Sequence, residues 1–194
     1  MNILIVVATS DELLREQFTD CEVLISGVGM IYTTISLTKE LIRNNYDLVI
    51  NVGIAGSFVE KFKIGDVVEV VSDCFSEIGT EVGDKFLTPT QLNLEIKNTF
   101  FTERKTDLNK AIGITVNTVH GKASSIAKIR NRLNPDIESM EGAAVMMVCE
   151  QFNTQTIQIR AISNMLEERN KENWNIPMAV KNLNTEIRRF IETL

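Results

Sequence analysis

Two glutamates have the residue type and setting to act on a small polar ligand. Glu12 follows the first apolar run in Ala8-Thr9-Ser10-Asp11-Glu12. Glu141 lies in Ser139-Met140-Glu141-Gly142-Ala143-Ala144, between an apolar stretch and a helical pattern of small residues. The first could cap a helix beginning there, or face a ligand. The second would be favoured at a helix N-terminus by the dipole alone. Its flanks are nearly all small or apolar, however, so its side chain is expected to enter a site, where a carboxylate that accepts paired hydroxyls could hold a ribose. Two glycine segments accompany them. Gly27-Val28-Gly29 closes a strand and opens a helix, but a dinucleotide fingerprint would need a glycine where Tyr32 stands, so a tight turn is the first reading. Asn51-Val52-Gly53-Ile54-Ala55-Gly56-Ser57 ends a buried strand with small residues that leave a ligand access to backbone, or that simply pack closely.

Other chemistries lack their residues. The single histidine, His120, rules out a histidine-rich metal site, and any serine-histidine-acid triad would depend on that one ring. CxxC, HExxH and GxxxxGK spacings are missing, so neither a metal nor a cofactor is implied. The 26 acidic and 20 basic residues give a net charge of −6. With no lysine or arginine cluster to hold a phosphate backbone, nucleic acid is not an expected partner. Cys21, Cys74 and Cys149 are odd in number, far apart and beside apolar runs, which reads as free buried thiols in a reducing cytoplasm. Met1–Ala8 lacks a basic leader and is shorter than the about 20 residues a bilayer requires. Neither a signal peptide nor a membrane span is expected.

The elements that must position the glutamates follow from periodicity. The composition, 44% hydrophobic and 24% charged over 194 residues, suits one soluble domain spanning 1–194. Ile3–Ala8, Val23–Ile25, Leu48–Val52, Val67–Val71, Ala111–Val116 and Thr156–Ile162 read as strands, several continuously apolar and so covered on both faces. Residues 30–44, about 141–152 and about 177–193 read as helices. The alternation predicts an α/β three-layer sandwich with a mixed, largely parallel central sheet. A ligand in such a fold sits beyond the carboxyl ends of the strands. That points to Thr9–Glu12, Gly27–Gly29, Gly53–Ser57, Asn117–Gly121, Met140–Glu141 and Ser163–Asn164.

Taken in order, Ala8…Glu12, Ser26-Gly27-Val28-Gly29, Asn51…Gly56, Ile64-Gly65-Asp66-Val67-Val68, Met140-Glu141-Gly142-Ala143-Ala144 and Arg160-Ala161-Ile162-Ser163-Asn164 resemble the methylthioadenosine/adenosylhomocysteine nucleosidases and their relatives in the purine nucleoside phosphorylase superfamily. The likeness runs from residue 3 to about 190. It implies that Glu12 activates the attacking water, that Met140 and Glu141 hold the ribose hydroxyls, and that Val119 and His120 lie against the base. The backbone of Ile54, Ala55 and Gly56 would shape the water and sugar pocket. Asn164 would contact the purine at N7, where adenine-specific members carry an aspartate that protonates it. An amide has no proton to give, and a 6-oxopurine such as hypoxanthine leaves more readily than adenine. Asn164 and the tail Ser163–Asn170 through Trp174 are similar to the futalosine hydrolases, which cleave a hypoxanthine nucleoside on an alternative bacterial route to menaquinone.

The resemblance also implies a homo-oligomer, a dimer or larger, and no cofactor. A phosphorylase needs an anion site, usually with arginine. Gly27–Thr34 and Asn51–Phe58 hold no arginine or lysine, and Glu12 would repel phosphate, so hydrolysis is favoured. A methylthioadenosine/adenosylhomocysteine nucleosidase, a purine nucleoside phosphorylase and a non-catalytic nucleoside-binding protein are the alternatives, the last disfavoured by the presence of both glutamates. His120 reads either as an exposed loop residue or as one facing the base or the 5′ substituent. Arg169 is the candidate for a 5′ carboxylate, or it pairs on the surface with Glu167 or Glu168, a contact worth about 0–1 kcal/mol. Trp174 is expected to serve packing.

Overall fold

A computed structural model describes all residues, 1–194. Its strands are β1 (Ile3–Val7), β2 (Glu22–Ile25), β3 (Leu48–Ser57), β4 (Val67–Phe75), β5 (Thr80–Val82), β6 (Lys85–Leu87), β7 (Thr99–Phe101), β8 (Asn109–Thr115), β9 (Ile137–Ser139) and β10 (Gln155–Met165). Four helices accompany them: α1 (Met30–Arg43), α2 (Ala123–Leu133), α3 (Gly142–Gln151) and α4 (Ile176–Ile191). β5 and β6 form a separate small hairpin, and the other eight strands make one sheet. Its order is β2-β1-β3-β9-β8-β4-β10, with β7 on β4, and β10 returns to pair with β3. The sheet therefore closes on itself between β3 and β10 and leaves β1 and β2 as an extension.

The pairing is mixed. β1–β2, β1–β3, β3–β10, β4–β8 and β8–β9 are parallel, whereas β10–β4, β3–β9 and β4–β7 are antiparallel. β1 shows why its sequence is apolar throughout. Ile3, Ile5 and Val7 pack with Ala179, Leu183 and Ile187 of α4, while Leu4 and Val6 pack with Leu37 and Leu41 of α1 and Val145 and Val148 of α3. Side chains of a strand alternate between faces, so a strand covered on both sides reads as a continuous apolar run except where a buried polar residue finds a partner. α1 and α3 thus cover one face and α4 the other, which is the expected layered α/β architecture. α2 packs Ile126 and Ile129 against Phe58, Ile114 and Val116.

Several elements differ from the sequence expectation. β3 runs through Ser57 and β10 through Met165, so Gly53–Ser57 and Ser163–Asn164 are strand residues, not post-strand loops. The cause is partnership: β10 holds β3 in parallel along its length, and β9 pairs with Gly56 and Ser57 where β1 has already ended. α2, β9, β7 and the β5–β6 hairpin had no periodic signal long enough to identify. No helix is long and apolar enough to cross a membrane. The three cysteines are free, and burial pushes the thiols of Cys74 and Cys149 up to about 12.

Candidate active site

The expected site residues converge on a cavity of about 380 Å³ at the carboxyl ends of β1 and β3 and the upper part of β10. Glu12, Ile54, Ala55, Gly56, Val119, His120, Met140, Glu141 and Asn164 all line it. Arg169 does not. It is exposed, with its guanidinium 5.0 Å from the centroid of the Trp174 ring, and Trp174, expected only to pack, is itself on the wall.

Glu12 is presented by a single 3-10 turn, Ser10–Glu12, directly after β1. Its carboxylate accepts the Thr9 N–H at 3.3 Å through Oε2 and the Ile54 N–H at 3.2 Å through Oε1. The capping role and the site role therefore coexist, since the same oxygens border the cavity. Asn184 of α4 fixes the turn from behind by donating Nδ2 to the Glu12 carbonyl at 3.1 Å.

Glu141 is the N-cap of α3, and its carbonyl accepts the Val145 N–H at 3.1 Å. Its side chain leaves the helix and accepts the Gly29 N–H at 2.9 Å. Gly27 and Gly29 have φ of 87° and 90°, a region that L side chains avoid, and this turn aims the amide at Glu141. The glycine pair is thus a turn, as its sequence suggested, and also a brace for a site carboxylate. Burial raises the Glu141 pKa, and the Arg160 guanidinium opposes that shift.

Asn164 sits at an irregularity of β10. The register against β3 slips between Ile162, opposite Ala55, and Asn164, opposite Gly56. Such a bulge re-aims side chains. Ser163 Oγ lies 2.8 Å from Asn164 Oδ1 and donates to it, and Asn164 Nδ2 donates to the Met165 carbonyl at 3.1 Å. With Ser163 on one side of its oxygen and the Met165 carbonyl taking one N–H, the amide keeps a second N–H and a second acceptor position for the cavity. A Cβ on Gly56 would come 3.2 Å from Asn164 Nδ2, so the glycine makes room for this side chain.

Three contributors had a weaker signal in the sequence. Arg160, only 1% exposed, lies beneath the floor and donates Nη2 to Asn51 Oδ1 at 2.6 Å. A Cβ at Gly53 would strike its guanidinium and lie 3.3 Å from Glu12 Oε1. This buried cation also favours ionisation of Asp73 and Glu141. A lone arginine inside the apolar run 156–162 was the available signal. Asp73 accepts from Thr115 Oγ1 at 3.0 Å and from Gln158 Nε2 at 3.0 Å, and burial pushes it up to about 6. Thr115 in turn accepts the Ala143 N–H at 2.7 Å, so the network grips the first turn of α3 next to Glu141. The third is Glu138, two residues before Met140, which lines the cavity and binds His120.

The arrangement defines a cleft lined by four carboxylates, Glu12 and Glu141 among them, with the Asn164 amide on its wall and the buried Arg160 beneath. Residues 11–193 match the phosphorylase superfamily, and the chain belongs to it. It is 27% identical to the futalosine hydrolase of Acidothermus cellulolyticus over 84% of this chain and 71% of that one. Its fold is similar to a 5′-methylthioadenosine/S-adenosylhomocysteine nucleosidase from Colwellia psychrerythraea in complex with adenine. That likeness has a TM-score of 0.83 and 20% identity, covering 100% of this chain and 96% of the other. The structure of a futalosine hydrolase mutant of Helicobacter pylori is similar too, at a TM-score of 0.86 and 17% identity over 100% of both chains.

Proposed function

We propose that this protein hydrolyses the N-glycosidic bond of a 6-oxopurine nucleoside, with futalosine the foremost candidate, and releases hypoxanthine. The observation that carries the hydrolytic reading is the cavity's charge. Its lining holds Asp11, Glu12, Glu138 and Glu141 but no lysine or arginine. Phosphate requires fixed cations or a cluster of donors, whereas water suits a site with a carboxylate base. In the proposed reaction Glu12 takes the proton of the attacking water and favours the cationic sugar that develops. Glu141 orients the ribose hydroxyls, beside Met140 and the backbone of Ile54, Ala55 and Gly56. Asn164 offers its free N–H to the purine at N7, with Val119 and His120 along the base. Asn164 in place of a carboxylic acid supports a 6-oxopurine over adenine, because the amide can bind but not protonate. The likeness to futalosine hydrolases adds the 5′ group and a place in menaquinone synthesis.

Arg169, whose guanidinium lies over the ring of Trp174 on the cavity wall, is the candidate cation for that 5′ group. The protein works in the cytoplasm as one folded unit, needs no cofactor, and has no nucleic-acid or membrane partner. It is a homo-oligomer. Val28 lines the cavity and is 49% exposed, and it continues into Ile31 and Tyr32 of α1, 66% and 67% exposed. An apolar surface of this kind is ordinarily covered.

The decisive assay incubates the protein with futalosine, inosine, methylthioadenosine and adenosylhomocysteine, each with and without phosphate. Futalosine should turn over fastest, giving hypoxanthine and the free sugar at a rate phosphate does not raise. A sugar 1-phosphate product would overturn the hydrolase reading, and preference for the adenine nucleosides would overturn the base assignment.

A further inference from the structure

His120 and Glu138 form a pair at the cavity wall whose acid–base capacity the reaction above does not use. Glu138 is 2% exposed and commits both oxygens to one residue. Oε1 accepts the His120 N–H at 2.8 Å, and Oε2 lies 2.6 Å from Nδ1. Its only ionisable partner is that ring. A buried carboxylate is costly unless donors or a cation compensate it, so Nδ1 carries a hydrogen toward Glu138. The ring's remaining polar atom is Nε2.

Strand register gives the pair its place. Gly56 of β3 is opposite Asn164 on β10 and opposite Glu138 on β9. Residues directly opposite point to the same face, and strands lie about 4.8 Å apart, so Asn164 and Glu138 flank a side-chain-free position across roughly 10 Å. Leu166 covers Gly56 itself and lines the same cavity as Asn164, His120 and Glu138, so a flat heterocycle lying against Leu166 would meet the Asn164 amide at one edge and the His120–Glu138 pair at the other.

Resting on the nucleosidase reading, we infer that His120, oriented by Glu138, is the acid that hands a proton to the departing base, which Asn164 cannot do. In this step the carbon–nitrogen glycosidic bond breaks and its electron pair leaves with the base. The Nε2 proton passes to a basic ring nitrogen or to the exocyclic oxygen of that base. The ring remains as neutral imidazole with Nδ1–H still on Glu138. Water's oxygen bonds to the anomeric carbon, its proton goes to Glu12, and exchange with solvent restores both groups. Nucleoside and water give free base and free sugar. His120 is the catalytic residue in this scheme, and Glu138 is a positioning residue.

The test compares leaving groups. His120→Gln is assayed on inosine and futalosine, and on p-nitrophenyl β-D-ribofuranoside, whose phenolate departs without a proton. The loss should be about 10² or more on both nucleosides and within about fivefold on the nitrophenyl riboside, the pattern of a missing general acid. Glu138→Gln should shift rates in the same sense but less. His120→Asn is the second variant, and melting temperatures establish that each protein is folded. Equal losses on all three substrates, or no loss, would overturn the role of His120. A Michaelis constant raised only for futalosine would also overturn it and put the ring at the 5′ end. If the wild type cleaves neither nucleoside, the nucleosidase reading fails and this one with it.

Discussion

Two stretches of β10, a few residues apart, place polar groups in opposite circumstances. At Gln158 and Arg160 the strand faces the layer under α3, where Asp73, itself held by Thr115, and Asn51 meet it in hydrogen bonds sealed from solvent. At Ser163 and Asn164, past the bulge, polar groups of the same strand open onto the cavity with hydrogen-bonding capacity left over. The first cluster spends its capacity inside the protein, apart from Gln158 Oε1 and Arg160 Nε, which lack partners. The second keeps its capacity for a ligand. A polar residue in a strand is therefore no sign of a binding site by itself. What separates the two is whether its remaining donors and acceptors face protein or open space.

If that division holds, substitutions in the upper cluster should act on turnover and those in the lower one on stability. The largest effect is expected for Glu12→Gln. Steady-state kinetics should show turnover slowed by about 10² or more, the scale of a lost general base, with the melting temperature little changed. Normal turnover would make Glu12 a cap alone.

Glu141→Gln tests the boundary, since Glu141 caps α3 and also lines the cavity. A charged acceptor bonded to hydroxyls contributes about 1.5–3 kcal/mol, so kcat/KM should fall by roughly 10-fold to 10²-fold. A variant altered only in thermal stability would move Glu141 into the structural cluster.

Gly142→Ala belongs to the lower cluster. A Cβ there would overlap the Asp73 carboxylate and the Gln158 amide. Overpacking of this kind costs about 1–3 kcal/mol, to be read from denaturant unfolding. Undiminished stability would show that the network yields easily.

The smallest effect concerns pH. Asp73 holds its proton more tightly in the folded protein than in the unfolded chain, its pKa raised by burial to about 6. Its contribution to stability is therefore present in acid and is lost as pH rises from the ordinary carboxylate range through 6. Glu141 shifts in the same direction and stays in both proteins compared here. Asp73→Asn cannot ionise, so its melting temperature should change less between pH 5 and pH 7 than that of the wild type. Parallel profiles would exclude Asp73 as the titrating group.

The sequence revealed these clusters unevenly. Glu141 was legible because it breaks a context of small and apolar residues at a strand end, whereas Glu12, among polar neighbours, and Asn164 drew their roles from the family resemblance. The boundaries of β3 and β10 were not, because Gly53 and Gly56 look like loop glycines until their partners are known. In the structure they are strand positions kept bare by Arg160 at Gly53 and by Leu166 and Asn164 at Gly56. Glu138 escaped notice for a related reason. β9 is only three residues long, too short for alternation to show, and its buried glutamate becomes intelligible only with His120 opposite. Trp174 lies among polar residues, with nothing local to indicate that it walls a cavity. Long-range pairing decides all of these, and no window of neighbouring residues contains it.

The closure of the sheet has a consequence for how the chain matures on the ribosome. β10 fills the slot between β3 and β4, yet Thr156 must find Val49 from 107 residues away. As the chain emerges from its N-terminus, β1, β3, β4, β8 and β9 are available long before that slot can be occupied. Until then β3 and β4 carry unpaired backbone edges, the feature that invites association with other chains. Insertion of one late strand seals the ring and delivers Arg160 and Asn164 together. The nascent protein passes from an open, adhesive sheet to a finished catalyst in its final fifth, and chaperone demand should be concentrated in that interval.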